Sequence, residues 1–377
     1  MKKFDAHIHF LLDTDLKTSV KYFKEYFKNN DIEKASVMSC PTYAKGDILQ
    51  NLKALYYKNE LKPNVYAFAG LYYENFNNTS NKEFYSNDFY NQVKTYIENG
   101  YDGIKILEGK PSERSKIKVM LSDEVFDKMF SFLEDNNVLV TLHNSDPATF
   151  WNLSLMTPYQ IEKGWYVGDD MPSKAGLFQD VIAVLKKHPK LRLTLAHFGF
   201  TTDAIWEAEE FLSYENTNFD CTPGWEQYVN ITANADKWRE LILNNSTRFM
   251  FGTDTENDNY ETDTESKNRA NTRAIVLEKF FSASKDLKTT TNLDGGVIKK
   301  EGETLKTTNN LFIKSLSLPN SVVEKIMYGN AEREFKEVKP INYNYVEKEI
   351  ERLRKIVKTS DDKNTLDIIA KGFNKRE

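Results

Sequence analysis

Residues 3–9 read KFDAHIH, a short run that ends in two histidines spaced two positions apart. Side chains at positions i and i+2 of a β-strand point to the same face, so this stretch predicts a strand that presents His7 and His9 together. Seven further short runs, apolar and rich in β-branched residues, recur along the chain at residues 34–39, 65–71, 102–107, 137–143, 191–197, 217–222 and 248–254.

Amphipathic helical patterns separate most of these predicted strands. Strands that alternate with helices predict βαβ units and a parallel sheet. Eight such units, over about 250 residues, fit a closed (β/α)₈ TIM barrel better than an open doubly wound sheet. The seventh strand, at 217–222, has a competitor at 226–232 (EQYVNIT). The helical patterns lie at 16–29, 47–60, 88–99, 122–136, 175–187, 203–212 and 234–245.

Three stretches exceed a minimal barrel. A long loop at 144–174 follows the fifth strand, and long connections in compact domains are usually functional or disordered. The polar stretch at 284–310 reads as an inserted hairpin or loop after the eighth strand, and 343–373 shows the periodicity of an appended C-terminal helix. We therefore predict a barrel domain over 1–340 and a helical extension over 341–377.

Composition narrows the possible partners. The chain has 377 residues and a formal net charge of −5, which does not favour nucleic-acid binding. Its two cysteines, Cys40 and Cys221, do not suggest a disulfide framework, and we expect them to be buried in a cytoplasmic protein. No stretch reaches the roughly 18 apolar residues that a membrane helix needs. We expect a small-molecule substrate, and homo-oligomerisation stays open.

Four of the five histidines fall at predicted strand ends. His7 and His9 end the first strand, His143 ends the fifth, His197 ends the sixth, and Asp254 ends the eighth. In barrel enzymes the active site lies at the carboxyl ends of the strands, so these five side chains are expected to meet at one mouth. Imidazole nitrogens together with a carboxylate suit zinc, with iron and manganese as competitors.

Each of these residues also has a simpler interpretation. A His-x-His pair on a strand is often structural, a strand-end histidine is often a hydrogen-bonded core residue, and an aspartate such as Asp254 in Gly-Thr-Asp is often a helix N-cap. The joint placement at one face of a histidine-poor chain favours a metal site. The fifth histidine, His188, precedes a strand on the opposite face, where we expect it to end a helix.

As an ordered set, the motifs resemble the amidohydrolase superfamily, in the amidohydrolase-related branch that includes aminocarboxymuconate-semialdehyde decarboxylase-like proteins. The resemblance runs from residue 5 to about 335 and depends on the set, because no single motif is specific. The matching pieces are Asp5-Ala6-His7-Ile8-His9, Gly103-Ile104-Lys105, His143 with Asp146-Pro147, His188-Pro189-Lys190-Leu191, Ala196-His197-Phe198-Gly199, Phe251-Gly252-Thr253-Asp254 and Ile326-Met327-Tyr328-Gly329-Asn330-Ala331-Glu332-Arg333.

The resemblance implies a mononuclear metal site. In it, His7, His9, His143 and Asp254 would bind one divalent ion, with zinc expected first and manganese or iron as alternatives. His197 would lie in the second shell, hydrogen-bonded to the water on the metal. A histidine with a pKa near the working pH can move the proton of that water, and Asp254 can share the task.

Lys105, on the fourth strand, is open to two interpretations. Binuclear members of the superfamily use a carboxylated lysine on that strand to bridge two metals. The preferred interpretation is a lysine with a buried stem and an ammonium at the site rim, where it holds a substrate carboxylate or a neighbouring aspartate. Glu108 beside it is expected to be a solvated loop residue.

Other candidate substrate contacts come from the loops. Arg114, after the fourth strand, is the clearest cationic clamp for a substrate, with Arg269 and Arg273 after the eighth strand as further candidates. In the long loop, Trp151, Tyr159 and Trp165 predict either a lid over the pocket or packing beneath the loop.

We therefore expect a metal-dependent hydrolase that acts on a C–N or C–O bond of a small organic substrate. The alternative is a decarboxylase of an aromatic or unsaturated carboxylic acid, and the shortage of arginine clamps favours hydrolysis over it. A third possibility is a barrel without catalysis that serves as a binding protein. The presence of all five site residues argues against that possibility.

Overall fold

Eight parallel strands, hydrogen-bonded in chain order, form the central sheet. The computed structural model describes residues 1–10, 15–43, 46–73, 81–222, 224–256, 263–289, 298–301, 304–307 and 311–374. All eight predicted strands are present and form the predicted parallel arrangement. They are β1 (Lys3–His9), β2 (Ile32–Met38), β3 (Val65–Gly70), β4 (Gly103–Ile106), β5 (Leu139–Leu142), β6 (Arg192–Leu195), β7 (Thr217–Asp220) and β8 (Phe249–Met250).

The sheet closes on itself between its first and last strands. The amide of Ala6 donates to the Phe251 carbonyl over 2.9 Å, just beyond β8. The amide of Asp254 donates to the His7 carbonyl over 2.8 Å, and the Ile8–Thr255 bridge continues the parallel pairing. The predicted TIM barrel is thereby confirmed, and the same bonds hold Asp254 beside the two histidines of β1.

Helices cover the outside of the barrel. The competitor for the seventh strand, 226–232, lies in a helix, so the strand is at 217–220. Apolar faces of these helices pack on strands that are buried along their length, as expected for a parallel sheet covered on its faces. The helices up to the eighth strand are α1 (Leu16–Asn29), α2 (Gln50–Glu60), α3 (Lys82–Glu98), α4 (Pro111–Ile117), α5 (Asp127–Asp135), α6 (Pro158–Glu162), α7 (Lys174–Lys187), α8 (Ile205–Leu212), α9 (Trp225–Ala233) and α10 (Ala235–Asn244).

The chain after β8 adds helices and two small antiparallel pairs. Strands β9 (Leu287–Thr289) and β12 (Leu311–Ile313) pair, as do β10 (Ile298–Glu301) and β11 (Thr304–Thr307). The inserted hairpin is thus present, and Asp294-Gly295-Gly296 lie outside the described residues. The helices here are α11 (Asp263–Ser282), α12 (Asn320–Glu324), α13 (Asn330–Phe335), α14 (Tyr343–Arg354) and α15 (Ser360–Phe373).

The C-terminal segment contains two helices rather than the one that periodicity suggested. The break falls before Thr359, whose side chain accepts from the Asp362 amide and so caps α15. α15 packs on the barrel helix α2. The division into a barrel and an extension remains a prediction.

One end of the barrel is filled with aromatic side chains, and this fixes where a site can form. Phe335 of α13 lies 4.7 Å, centroid to centroid, from Phe4 at the start of β1 and 5.4 Å from Phe68. His7 and His9 occupy the other end of β1. The space for a ligand is therefore at the carboxyl ends of the strands. No described helix is both long and apolar enough to cross a bilayer.

Candidate metal centre and active site

The two histidines of β1 present their ring nitrogens to each other. The Nε2 atoms of His7 and His9 lie 2.9 Å apart. The Nδ1 atom of His9 lies 2.9 Å from the Met38 carbonyl, which can only accept a hydrogen bond. The Nδ1 atom of His7 lies 2.8 Å from the buried carboxylate of Asp220. Each ring in its neutral form therefore carries its proton on Nδ1 and a lone pair on Nε2.

Two lone pairs that face each other over this distance repel, and a cation beside them relieves that repulsion; the Lys105 ammonium reaches Nε2 of His7, and the lone pair of His9 stays available to a metal ion. The carboxylate of Asp254 adds a third acceptor, because its Oδ1 atom lies 3.6 Å from Nε2 of His7 and 3.4 Å from Nε2 of His9. Outer hydrogen bonds that fix the tautomer of a histidine are typical of metal ligands. The donor set of this end of β1 fits a divalent metal of the zinc or manganese type.

The other two predicted histidines adjoin this group. The rings of His143 and His197 lie 4.8 Å apart in an edge-to-face arrangement. Nε2 of His143 is buried and has no hydrogen-bond partner among the described residues. Nδ1 of His197 is 3.3 Å from the Thr222 carbonyl, which leaves Nε2 of that ring as the acceptor. The structure thus brings together all five side chains that were predicted to converge.

The geometry groups His197 more closely with the predicted metal ligands than the family resemblance implies. Among the described residues, His7, His197 and Asp254 offer ligand atoms that all lie within 4.8 Å of one another. The assignment of His143 as a ligand and of His197 to the second shell therefore stays a prediction.

A left-handed turn presents His197 to the site. His197, Phe198, Gly199 and Phe200 all have φ between 53° and 60°, and Asp254 has a φ of 52°. This conformation costs roughly 1–2 kcal/mol for each residue other than glycine. The Asn144 amide donates to the Gly199 carbonyl over 3.2 Å, which helps to hold the turn. Strained backbone of this kind clusters at functional sites.

Burial keeps the histidines neutral, which is the form that binds metals. Burial, with His7 nearby, lowers the pKa of His9 to about 3. Burial lowers the pKa of His197 to about 4 and that of His143 well below its usual value. Burial would raise the pKa of Asp254, but the adjacent His7, His197 and His9 hold it below its usual range. At neutral pH the site therefore offers imidazole lone pairs and an ionised carboxylate.

Lys105 lies beneath the site and not at its rim. Its Nζ atom is 3.0 Å from Nε2 of His7, its side chain is 1% exposed, and burial lowers its pKa. The expected rim position is not observed, because β4 places the side chain against β1. Glu108 was expected to be solvated and instead is buried, with its pKa raised to about 8 by that burial.

Of the three predicted arginine contacts, Arg273 lines the pocket, whereas Arg114 and Arg269 do not. Arg114 is buried in α4, and its Nη2 atom lies 2.9 Å from the Asp180 carboxylate, so it serves the packing of α4 on α7. Arg273 of α11 lines the cavity and donates to the Asp254 carbonyl. Arg269, one turn earlier, lies 3.8 Å from Glu256.

The aromatic residues of the long loop have different positions. Trp165 lines the cavity and stacks on Phe150 with ring centroids 5.5 Å apart. Trp151 donates from Nε1 to the Pro172 carbonyl over 3.1 Å and packs against the small apolar cluster of the loop. The side chain of Tyr159 lies outside the described residues. The loop therefore combines packing with one wall of the pocket.

A cavity of roughly 270 Å³ opens beside His9, His143, His197 and Asp254. This is close to the lower end of the range for ligand pockets, and it suits a small organic molecule. Its lining is mixed, with aromatic walls and charged groups from several loops. The lining residues are His9, Cys40, Tyr43, Leu107, Lys110, His143, Asp146, Pro147, Phe150, Gln160, Trp165, His197, Phe200, Gly224, Glu226, Gln227, Asp254, Glu256 and Arg273.

Four charged residues of the site were missed from sequence, namely Asp220, Lys110, Glu226 and Glu256. Asp220 ends β7, so the strand-end rule that found Asp254 could have found it too. Lys110 lies in the loop before α4 and Glu226 in the first turn of α9, where no periodicity marks a residue as facing a pocket. The Lys110 ammonium binds the Asp146 carboxylate over 2.5 Å, and Asp146 is in turn 3.5 Å from Nε2 of His143.

Comparisons with known proteins agree with this fold. The sequence model of the family described as Amidohydrolase matches residues 97–336, which is more than half of the chain. The chain belongs to the amidohydrolase family, and it is an enzyme. The matched part contains His143, His197 and Asp254. A search of curated proteins finds no match.

Solved structures share the barrel at low sequence identity. A 2,6-dihydroxybenzoate decarboxylase from Rhizobium is 13% identical, with 89% of this chain and 98% of that chain covered and a TM-score of 0.50. A 4-oxalomesaconate hydratase from Rhodopseudomonas palustris is 14% identical, with 88% and 95% covered and a TM-score of 0.51. A lactonase from Listeria monocytogenes is 9% identical, with 90% and 95% covered and a TM-score of 0.51. At these identities the likeness extends to the fold alone.

Proposed function

We propose that this protein is a metal-dependent hydrolase that cleaves a C–O or C–N bond of a small organic substrate. The observation that carries the proposal is the pair of Nε2 lone pairs on His7 and His9, 2.9 Å apart and beside the Asp254 carboxylate. In this proposal His7, His9, His143 and Asp254 hold one divalent ion, and zinc is the first choice for this mixture of nitrogen and oxygen ligands.

When bound, the ion would lower the pKa of water towards about 7 and would so supply a nucleophile at neutral pH. The protein side chains then transfer the proton and exclude water from the substrate. Nε2 of His197 accepts the proton that the attacking water gives up, because Nδ1 of the same ring is directed to the Thr222 carbonyl. The aromatic walls at Phe150 and Trp165 exclude water from the bound substrate.

Decarboxylation of a carboxylic acid is the second candidate, and one observation favours it. Lys110 and Arg273 both line the cavity, so the pocket has more cationic character than the sequence suggested. An arginine can bind a substrate carboxylate with two parallel hydrogen bonds. Lys110, however, is already paired with Asp146 over 2.5 Å, and Arg273 donates to the Asp254 carbonyl. Hydrolysis therefore stays first.

The substrate panel that separates the two candidates gives the first prediction. We expect the purified protein to hydrolyse at least one lactone, ester or amide small enough for the cavity. Hydroxybenzoates and related acids, incubated under the same conditions, should release no carbon dioxide. Product formation is followed by chromatography, with a metal-stripped sample as the control. Release of carbon dioxide from an acid, with no turnover of any ester, lactone or amide, would replace hydrolysis by decarboxylation.

A further inference from the structure

Four carboxylates line the cavity, and three of them already have a defined partner. Asp254 faces His7 and His9, Asp146 binds the Lys110 ammonium, and Glu256 lies 3.8 Å from Arg269. The fourth is Glu226, at the start of α9. Within the part of the chain that the structure describes, no ion pair to the Glu226 carboxylate is found.

A hydrogen bond holds Glu226 in place. The hydroxyl of Thr149, in the long loop after β5, donates to Oε2 of Glu226 over 3.0 Å. This contact joins the long loop after β5 to the first turn of α9, which follows β7, and fixes one carboxylate oxygen. Because Glu226, His9 and His143 line one cavity of roughly 270 Å³, a substrate that fills the cavity touches all three.

We propose that Glu226 is the catalytic acid that protonates the leaving group of the substrate. The proposal rests on the hydrolytic function proposed above and adds a residue that neither the motifs nor the family comparison indicates. It gives the leaving atom a proton source distinct from Asp254, which lies against His7 and His9, and from His197, which is assigned to the water.

The step balances as follows for an ester or amide. The oxygen of water forms a bond to the carbonyl carbon, and His197 takes one proton from that water. The bond from this carbon to the leaving oxygen or nitrogen then breaks, with its electron pair going to the leaving atom. The Glu226 carboxyl gives its proton to that atom, so that an alcohol or amine departs. The remaining acidic proton of the product restores the Glu226 carboxyl, and His197 releases its proton to solvent.

The surroundings of Glu226 suit an acid at neutral pH. Burial raises its pKa to about 7, the Thr149 hydrogen bond opposes this rise, and the charge of Asp203 adds to it. Lys174 opposes the rise only weakly, since its ammonium binds Asp203 over 2.9 Å and Glu207 over 3.1 Å. An acid is most effective when its pKa lies near the working pH. Activity should therefore fall as the pH rises through about 7 and Glu226 loses its proton.

The test compares leaving groups in Glu226→Gln. For alkyl esters or amides, whose leaving group needs a proton, we expect kcat/KM to fall by about 10²–10⁴-fold. For esters of acidic phenols, which leave without a proton, we expect a loss of less than about 10-fold. Glu240→Gln, an exposed acid on α10, is the matched control and should leave both substrate classes unaffected. Metal content and melting temperature are measured on each variant.

Two further variants are expected to shift the pKa of Glu226 while keeping its carboxyl group. Asp203→Asn removes the charge that raises the pKa of Glu226, so the loss of activity at alkaline pH should begin at lower pH. We call this part of the pH–activity profile the alkaline limb. Thr149→Ala removes the hydrogen bond that lowers this pKa, so the limb should move to higher pH. Carboxyl-carbon NMR on protein with isotope-labelled glutamate should show one resonance that titrates near pH 7 and is missing from Glu226→Gln.

Each outcome decides the proposal. Equal losses for both leaving-group classes, or an unchanged alkaline limb in Asp203→Asn and Thr149→Ala, would overturn the role of Glu226 while leaving the hydrolase in place. If the Glu226→Gln variant does not fold, the opposite shifts of the other two variants decide the question. A wild-type protein that hydrolyses none of the substrates would reject the hydrolase itself, and the proposed step with it.

Discussion

Substitution of His143 or His7 by alanine is expected to yield protein that is nearly free of metal. Each substitution removes a nitrogen that the proposed site needs, and for His7 it also strands the buried Asp220 carboxylate 2.8 Å from Nδ1. The affinity for the ion should fall by more than the roughly 10–100-fold that loss of an outer hydrogen-bond partner costs. Elemental analysis after gel filtration, with no added metal, measures the loss.

His188→Ala is the matched control for these substitutions. His188 follows α7 as its C-cap, 3.6 Å from the Glu134 carboxylate and away from the cavity lining. It should keep the metal content of the wild type even if its melting temperature falls. A His143→Ala protein that retains full metal would remove His143 from the ligand set.

His197→Asn is expected to retain most of the metal and to lose activity by about 10²–10⁴-fold in kcat, the usual effect of removing a general base. Asparagine can replace the hydrogen bond to the Thr222 carbonyl but has no basic nitrogen to accept the proton of the attacking water. The measurement is steady-state kinetics on samples whose metal content has been determined. Phe200→Leu, which alters packing against the His197 ring at 5.0 Å, serves as the comparison for indirect effects on that ring.

Metal content separates the two possible roles of His197. Its ligand atom lies within 4.8 Å of those of His7 and Asp254, so a direct bond to the ion is geometrically open. If His197→Asn is as depleted of metal as His7→Ala, then His197 is a ligand, and the division of roles taken from the family resemblance is wrong.

Periodicity in the sequence was enough to predict the barrel. The predicted strand at 3–9 is β1, with the same bounds. The competing stretch at 226–232 lies in a helix, so the seventh strand is the one predicted at 217–222. Strand bounds shortened at β8 to Phe249–Met250, because the chain beyond it pairs irregularly with β1. The predicted single C-terminal helix is two helices, because Thr359 caps the start of the second one.

The convergence of histidines was also predictable, because strand ends of a parallel barrel meet at one face. The partners of the charged side chains could not be predicted in this way. Arg114 looked like a clamp from its position in the chain, yet its side chain turns to Asp180 in a neighbouring helix. Lys105 was on the expected strand, but sequence does not tell whether a buried lysine reaches a rim or a ring nitrogen 3.0 Å away. Glu226 could be identified as a site residue only from the structure, which brings the start of α9 next to the long loop after β5.

The metal content of the wild-type protein tests the central claim most directly. We predict about one divalent ion per chain in protein purified without chelator, measured by elemental analysis against a quantitative amino-acid assay, since one set of ligands converges beside β1. About two ions per chain would instead make Lys105 a carboxylated bridging ligand. A value near zero would contradict the account, because the proposed ligands His7, His9, His143 and Asp254 would then hold no metal.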